Sequence, residues 1–306
     1  MSLPIKLQIP DSFYKEETLC GYHVTCKDKK IWAVELDLLN EFKTVCEKYH
    51  LTWYIAYGSL IGTIRHKGFI PWDNDVDVLM PRKDYQKLCE IASNEFQHPY
   101  FLSTPISEQG RFYRNFAKLC NSLTTGGCED LWLQGVNCGL FIDIFVLDEF
   151  PDDDKKAAKL VKRVNFYEHL SRFFSPYERH DKGLKYIKNL YWTWLWKYRY
   201  KRCNGAALYR IVSSVLEKTM GHGYKRVGLI ESAYNPDLLS DKSLWAVKWM
   251  PFEMIEVSVP IGYDTILRNR YGDYIQFPPV DERVTHAYMD LEPGIPYREY
   301  YSKMYQ

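Results

Sequence analysis

Two aspartates, Asp75 and Asp77, stand two residues apart in a short apolar segment and alternate with Val76 and Val78. Side chains two apart on a β-strand point to the same face, so this spacing predicts two neighbouring carboxylates with the valines on the buried side. Neighbouring carboxylates repel each other and raise a pKa unless a cation lies between them. Mg²⁺ suits such a pair because it binds a few carboxylate oxygens together with substrate phosphates, and Mn²⁺ is the alternative.

A hydrophobic run ends at Gly58 and Ser59, upstream of these aspartates, where a turn would offer backbone N–H groups to a closely approaching phosphate. A third acid, Asp143, lies between two isoleucines. Burying this carboxylate without a partner would cost several kcal/mol. A metal ion shared with Asp75 and Asp77 would remove that cost, and so would a backbone turn or an arginine partner. The sequence therefore predicts a metal-dependent site that handles a phosphate group.

Hydrophobic periodicity predicts the elements that must position these residues. Apolar residues recur every three or four positions over 30–49, which indicates an amphipathic helix. The other predicted elements are strands at 51–57, 75–80, 113–120, 140–147 and 254–259, and helices at 59–65, 82–96, throughout 151 to about 220, and at 262–271. We expect an α+β (mixed α/β) fold, with a mixed central sheet flanked by helices. We divide the chain into a catalytic core at 1–150 and, at 151–306, a helical region whose C-terminal segment completes the active site.

Composition narrows the functional class. The 306 residues carry a net charge of +1, which argues against a nucleic-acid partner, and the 46% hydrophobic content is ordinary for a soluble globular protein. The first residues lack the apolar core of a secretory signal, and no uncharged run is long enough to span a bilayer. We therefore expect a cytoplasmic protein. Its eight cysteines are expected to be mostly reduced thiols, with a structural zinc site at 120, 128 and 138 as a minor alternative.

A basic and aromatic segment at 182–202 interleaves lysines and arginines with tryptophans and tyrosines and contains no acid. Such a segment suits an anionic membrane surface, where lipid-linked acceptors reside. It also suits an ordinary helix whose aromatic side chains enter the core while the lysines extend to solvent, and we favour this interpretation. Peripheral contact with the inner face of the membrane is the alternative.

One stretch resembles the signature of the LicD/fukutin family, namely residues 57–77, YGSLIGTIRHKGFIPWDNDVD. Asn74 departs from the pattern, because the family usually has an acid there. Other segments resemble later blocks of the family: FAKL at 116–119, GLFIDIF at 139–145, RYGDY at 270–274, and Pro278-Pro279 followed by Arg283 and His286. The resemblance implies a nucleotidyltransferase-like core and a phosphotransferase of the phosphocholine or polyol-phosphate type.

The resemblance also implies roles for individual residues. The donor would be a CDP-activated small alcohol, the acceptor a hydroxyl of a glycan or lipid-linked glycan, and CMP would be released. Asp75 and Asp77 would hold the metal ion, and Asp143 would be a further ligand or the general base. Phosphate oxygens would be contacted by Gly58, Ser59, Arg65, His66, Lys67, Lys118, Arg283 and His286.

Two other functions are compatible with these residues. A nucleotidyltransferase that moves a nucleoside monophosphate to a small molecule would release pyrophosphate instead of CMP. A glycan-binding protein of the same fold would have lost catalysis, although the complete set of Asp75, Asp77 and Asp143 argues against this alternative.

Overall fold

The computed structural model describes residues 3–112, 114–172, 191, 194–195, 198, 204–230, 235, 238–285 and 289–304. It has an α+β fold, which confirms the predicted class. None of the described helices combines the length and the apolar character needed to cross a lipid bilayer. Most of the basic and aromatic segment at 182–202 lies outside the described residues, so its helical or membrane-facing role stays a prediction.

The helices of the described chain are α1 (Cys26–Lys48), α2 (Tyr57–Arg65), α3 (Arg82–Glu95), α4 (Glu129–Leu133), α5 (Asp154–Arg172), α6 (Gly205–Glu217), α7 (Tyr263–Tyr271) and α8 (Tyr297–Met304). The strands are β1 (Glu17–Leu19), β2 (Tyr22–Val24), β3 (Tyr54–Ile55), β4 (Asp77–Pro81), β5 (Tyr100–Ser103), β6 (Ala117–Asn121), β7 (Thr125–Gly127), β8 (Leu140–Phe150), β9 (Arg226–Gly228), β10 (Ser240–Asp241), β11 (Val247–Phe252), β12 (Ile255–Pro260) and β13 (Asp290–Glu292). Short 3₁₀ helices are found at Asp11–Tyr14, Lys242–Trp245 and Val280–Glu282.

The central sheet has seven strands, of which β8 is the longest and makes the most pairings. β8 pairs in parallel with β4 over residues 143–147, and antiparallel with β6 over residues 140–144 and with β9 over residues 148–150. β3 extends the sheet beyond β4, β5 beyond β6, and β10 beyond β9. Strands from both halves of the chain therefore share one sheet, while the predicted domain boundary near residue 150 stays a prediction.

Helix α1 packs against β6 and β8 and forms the main core with them. The helix begins four residues earlier than predicted, because Thr25 and Asp28 make a capping box in which each side chain accepts from the other's backbone N–H. From the sheet, Val78, Leu119 and Ile144 are fully buried in this core. The opposite face of the sheet is therefore the one available for polar side chains.

The strand around the two aspartates is shorter than the sequence predicts. β4 begins at Asp77, and its partner β3 covers only two residues instead of 51–57, because the chain turns into α2 at Tyr57. The predicted alternation nevertheless holds, since Val76 and Val78 are fully buried while Asp75 and Asp77 are half-buried. The two carboxylates therefore lie on the side of the chain away from the main core.

Candidate active site

Three of the predicted residues form a row across neighbouring strands. Asp143 of β8 is the cross-strand partner of Asp77 of β4 on one side and of Lys118 of β6 on the other. Neighbouring strands lie about 4.8 Å apart and paired side chains share a face, so the three side chains are adjacent. Lys118 Nζ is 3.6 Å from Asp143 Oδ1, and both side chains are mostly buried.

The first turn of α2 holds the aspartates in place. Ser59 Oγ accepts a hydrogen bond from the Asp77 N–H at 3.0 Å and donates to the Asp75 carbonyl at 3.4 Å. At Gly58, an added Cβ would lie only 2.6 Å from Asp73 Oδ2, so the absence of a side chain there makes room for that carboxylate. The Ser59 hydroxyl thus positions the backbone, and the contact of Gly58 and Ser59 with phosphate stays a prediction.

Tyr57, the first residue of α2, has a left-handed φ of 48°. This conformation is uncommon for a bulky residue. A left-handed residue followed by a helical one turns successive backbone N–H groups toward the same point, which is the geometry that binds anions. The backbone between β3 and α2 is therefore suited to an anionic ligand.

The acids raise one another's pKa. Burial raises the pKa of Asp77 well above its usual value, the charges of Asp75, Asp143 and Asp73 raise it further, and Lys118 opposes them. The pKa of Asp73 is raised by burial, by the charge of Asp75 and by a hydrogen bond that the two carboxyls share. Burial also raises the pKa of Asp143, against the opposing effect of Lys118. Acidic groups that repel one another when ionised are therefore concentrated at this site.

Sequence reasoning missed Glu35, a fourth acid near the aspartates. It lies on α1 with 1% of its surface exposed, and burial followed by the charges of Asp75, Asp73 and Asp77 raises its pKa well above the usual value. A signal was present, because Glu35 is four residues after Ile31 and three before Leu38 on the apolar face of the predicted helix. An acid on that face indicates a buried carboxylate.

These residues suit a divalent cation chemically, although within the described ranges no three His, Cys, Asp or Glu side chains are arranged to hold a metal ion as they stand. Asp143 Oδ1 and Glu35 Oε2 are buried oxygens that accept no hydrogen bond from the described residues. The charge of Asp75 helps to raise the pKa of Asp73, as expected for neighbouring carboxyls with no cation between them. Carboxylate oxygens are the ligands that Mg²⁺ prefers. A cation is compatible with this donor set if the side chains move closer together.

A cavity of about 440 Å³ opens beside the stretch of β8 between its pairings with β6 and β9. Its walls include the consecutive residues Phe145 and Val146, which point to opposite faces of the strand, so the cavity lies at an edge of β8. Tyr271, also in the wall, has a pKa that is raised mainly by burial and to a lesser extent by the charges of Asp77 and Asp73. The cavity therefore adjoins the carboxylates.

Two arginines in the cavity wall were not predicted as site residues. The positive charge of Arg114 partly opposes the rise in the pKa of Asp143 that burial causes, which places this guanidinium near the carboxylate row. Arg270 of α7 lies over the ring of Tyr57, at 4.5 Å from the ring centre. Both guanidinium groups could donate hydrogen bonds to a phosphate bound between the cavity and the aspartates.

Three predicted phosphate-binding residues lie in a different cluster. Arg65 Nη1 donates to the carbonyls of Tyr274 and Gln276, and Arg283 donates to the carbonyls of Pro278 and Cys20. His66 stacks on Phe277, and burial together with the charge of Arg65 lowers its pKa to about 4. Arg65 and His66 thus join the end of α2 to the C-terminal segment, and Arg283 joins that segment to the turn between β1 and β2. The contact of these three residues with phosphate stays a prediction.

Lys67 and His286 complete the predicted set. Lys67 is exposed in a left-handed turn with φ 57°, where its carbonyl accepts from the Glu253 N–H at 2.7 Å. His286 lies outside the described residues. The structure therefore brings together Gly58, Ser59, Asp75, Asp77, Lys118 and Asp143 and places Lys67 on the surface.

One family model matches part of this chain. It is the model for LicD/FKTN/FKRP, nucleotidyltransferase domain, and it matches residues 50–169, which contain β3, α2, β4 and β8 with their carboxylates. This match supports membership of the LicD/fukutin family.

Three relatives show how far the likeness extends. The lipopolysaccharide cholinephosphotransferase LicD of Haemophilus influenzae is 27% identical over 264 residues, which cover 82% of this chain and 92% of that protein. Mannosyltransferase regulator 4 of Saccharomyces cerevisiae is 24% identical over 136 residues, 43% of this chain and 11% of that protein. An uncharacterized protein of Rickettsia prowazekii is 24% identical over 117 residues, 38% of this chain and 39% of that protein. The first alignment therefore extends well beyond residues 50–169.

Proposed function

We propose that this protein transfers a phospho-alcohol group, of the phosphocholine or alditol-phosphate type, from a CDP-activated donor to a hydroxyl of a cell-surface glycan and releases CMP. The observation that carries the proposal is the row of Lys118, Asp143 and Asp77 beside a cavity with Arg114 and Arg270 in its wall. The alignment with a cholinephosphotransferase over 82% of the chain supports the same reaction class.

Asp75, Asp77 and Asp143 are the residues that would hold Mg²⁺ or Mn²⁺. When bound, the ion would neutralise the diphosphate and stabilise the charge that develops on departing CMP. The surplus of buried negative charge supports this assignment, because a cation would relieve the repulsion that raises the pKa of Asp77.

The other residues would bind the substrates and move a proton. Arg114 and Arg270 would donate hydrogen bonds to the diphosphate from the cavity side. Asp143 would accept the proton of the attacking hydroxyl, a role that suits a carboxyl whose pKa is raised by burial. Lys118 would keep the Asp143 side chain in position through their ion pair.

Product analysis tests this proposal against nucleotidyl transfer. Purified protein with Mg²⁺ is incubated with CDP-choline, CDP-ribitol or CDP-glycerol, and we expect slow CMP release from one of these donors. The Asp75→Asn variant is the negative control. Pyrophosphate released from a nucleoside triphosphate and a small-molecule acceptor, with no CMP from any CDP-alcohol, would support the nucleotidyltransferase alternative. An effect of the protein on cells that survives Asp75→Asn would favour the glycan-binding alternative.

The Arg283→Ala variant tests the contact between the C-terminal segment and the turn between β1 and β2. We expect a loss of roughly 1–3 kcal/mol in the free energy of unfolding, because a half-buried guanidinium that donates to two carbonyls is removed. Thermal melting measures this loss. A rise in the donor KM with an unchanged melting temperature would instead support the phosphate contact predicted from the sequence.

A further inference from the structure

A buried ion pair forms part of the wall of the same cavity. Arg82, the first residue of α3, donates through Nε and Nη2 to the two carboxylate oxygens of Asp148 on β8, the second contact being 2.8 Å long. The side chains are 3% and 2% exposed, and both residues line the cavity. Buried ion pairs add little net stability compared with apolar residues of the same size, so this pair calls for a role besides packing.

The pair lies farther along β8 than the carboxylate row. Asp148 follows Asp143 by five residues, which corresponds to about 17 Å along a strand, and this odd spacing points the two side chains to opposite faces of β8. The cavity at the edge of the strand nevertheless has both the Arg82–Asp148 pair and the two arginines near the aspartates in its wall. A nucleoside diphosphate in this cavity would have its phosphates near Arg114 and Arg270 and its base near Asp148.

Aromatic rings also line the cavity. The rings of Phe116 and Phe145 lie 4.7 Å apart, and Tyr57 packs edge-on against Phe145 at 5.4 Å. Aromatic side chains of this kind stack on nucleobases of any sequence and so bind a base without identifying it. Identification requires hydrogen-bonding groups at the edge of the base.

The Arg82–Asp148 pair retains hydrogen-bonding capacity for this purpose. A guanidinium has five N–H donors and a carboxylate about four acceptor positions. Within the pair only two donors and two acceptors are used. A donor and an acceptor that stand side by side complement the edge of cytosine, which has an amino group next to the acceptors N3 and O2.

We propose that the Arg82–Asp148 pair recognises the cytosine base of the donor, with Asp148 accepting from the exocyclic amino group and Arg82 donating to N3 and O2. This assignment rests on the proposed function, which supplies the CDP-activated donor. Uracil has a carbonyl in place of the amino group and would set it against the Asp148 carboxylate. The pair is then the feature that separates cytidine from uridine nucleotides.

Nucleotide binding to the complete chain tests the proposal without turnover. Isothermal titration with CMP and UMP is expected to show CMP bound tighter by about tenfold or more, since a buried acceptor facing a carbonyl loses its hydrogen bond. The monophosphate of pyrimidin-2-one riboside, which lacks only the amino group, should also bind about tenfold more weakly than CMP. This nucleotide tests the amino-group contact in the unaltered protein.

The Asp148→Asn variant should lower the CMP-to-UMP affinity ratio to near one, because an amide can donate to the uracil carbonyl. Asp37→Asn is the matched control. Asp37 is also fully buried and accepts from Tyr100 and from the N–H groups of Lys6 and Leu7, but it does not line the cavity. Its replacement should therefore leave the ratio unchanged.

Three results would overturn the assignment: equal binding of CMP and UMP by the unaltered protein, tighter binding of GMP than of CMP, or an unchanged ratio in folded Asp148→Asn. If Asp148→Asn does not fold, binding of the pyrimidin-2-one nucleotide to the unaltered protein tests the assignment instead, and affinity equal to that of CMP would overturn it. Cytosine recognition with no CMP release from any CDP-alcohol would refute the proposed transfer and leave this inference standing. CMP release together with a CMP-to-UMP affinity ratio that does not depend on Asp148 would support the proposed transfer and refute this inference.

Discussion

Replacing Asp77 by asparagine is expected to abolish transfer and to stabilise the metal-free protein. Loss of a carboxylate that holds the cation removes several kcal/mol of transition-state stabilisation, which corresponds to a rate lower by roughly a thousandfold. The metal-free folded protein becomes more stable, because a carboxyl buried beside Asp75, Asp143 and Asp73 is replaced by a neutral group of the same shape. CMP release and thermal melting in the presence of a chelator measure the two effects.

The pH dependence of melting follows from the same raised pKa. Because the pKa of Asp77 in the folded protein is above its unfolded value near 3.8, the fold favours the protonated form. The destabilisation is absent below the unfolded pKa and grows as the pH rises toward the folded pKa. The melting temperature of the metal-free protein should therefore fall as the pH rises from about 4, and it should fall less in Asp77→Asn.

Asp264 provides the control for this experiment. It is an exposed carboxyl that accepts from Tyr274 and Arg268, and these hydrogen bonds lower its pKa. Asp264→Asn should therefore not raise the melting temperature. A variant Asp77→Asn that melts lower than the unaltered protein, or that still releases CMP at a comparable rate, would contradict the placement of Asp77 among repelling carboxylates.

Replacing Gly62 by alanine is expected to separate α2 from the loop that follows it. An added Cβ at Gly62 would lie 2.4 Å from the Gly68 carbonyl oxygen, and a backbone atom cannot move aside as a flexible side chain can. Overpacking of this kind costs roughly 1–3 kcal/mol. Transfer should also fall, because α2 carries Ser59, whose hydroxyl holds the backbone of Asp75 and Asp77.

The sign of this effect is informative, because alanine is otherwise the better helix former by about 1 kcal/mol. Denaturant unfolding of Gly62→Ala measures the balance. Gly294→Ala is the control, since an added Cβ there would meet no heavy atom within 4 Å and the change should stay within about 0.5 kcal/mol. Greater stability of Gly62→Ala with full activity would show that α2 and the loop are not in close contact.

Local sequence patterns predicted the carboxylate side of the site. The spacing of Asp75 and Asp77 and the placement of Asp143 between isoleucines depend only on strand periodicity, and the strands were found with Val76, Val78, Ile142 and Ile144 fully buried. The helix at 30–49 was confirmed for the same reason, as its apolar positions recur within a single element.

The cavity side depends on contacts between distant parts of the chain and was not predicted. Arg82 and Asp148 are 66 residues apart, and Arg270 reaches Tyr57 from the other half of the chain. Arg65 was expected at phosphate as part of a basic loop beside the carboxylates, but its partner carbonyl at Tyr274 is 209 residues away. No local sequence pattern indicates whether an arginine will donate to a bound phosphate or to a backbone carbonyl that is distant in sequence.

The register of the central sheet has a further consequence for the carboxylate row. Lys118, Asp143 and Asp77 are held at neighbouring positions by backbone pairing of three strands and not by mobile loops. The conformational entropy of bringing these backbone positions together is therefore lost during folding, before any ligand arrives. The site is preorganised, so that ligand binding requires side-chain rotation with little rearrangement of the main chain.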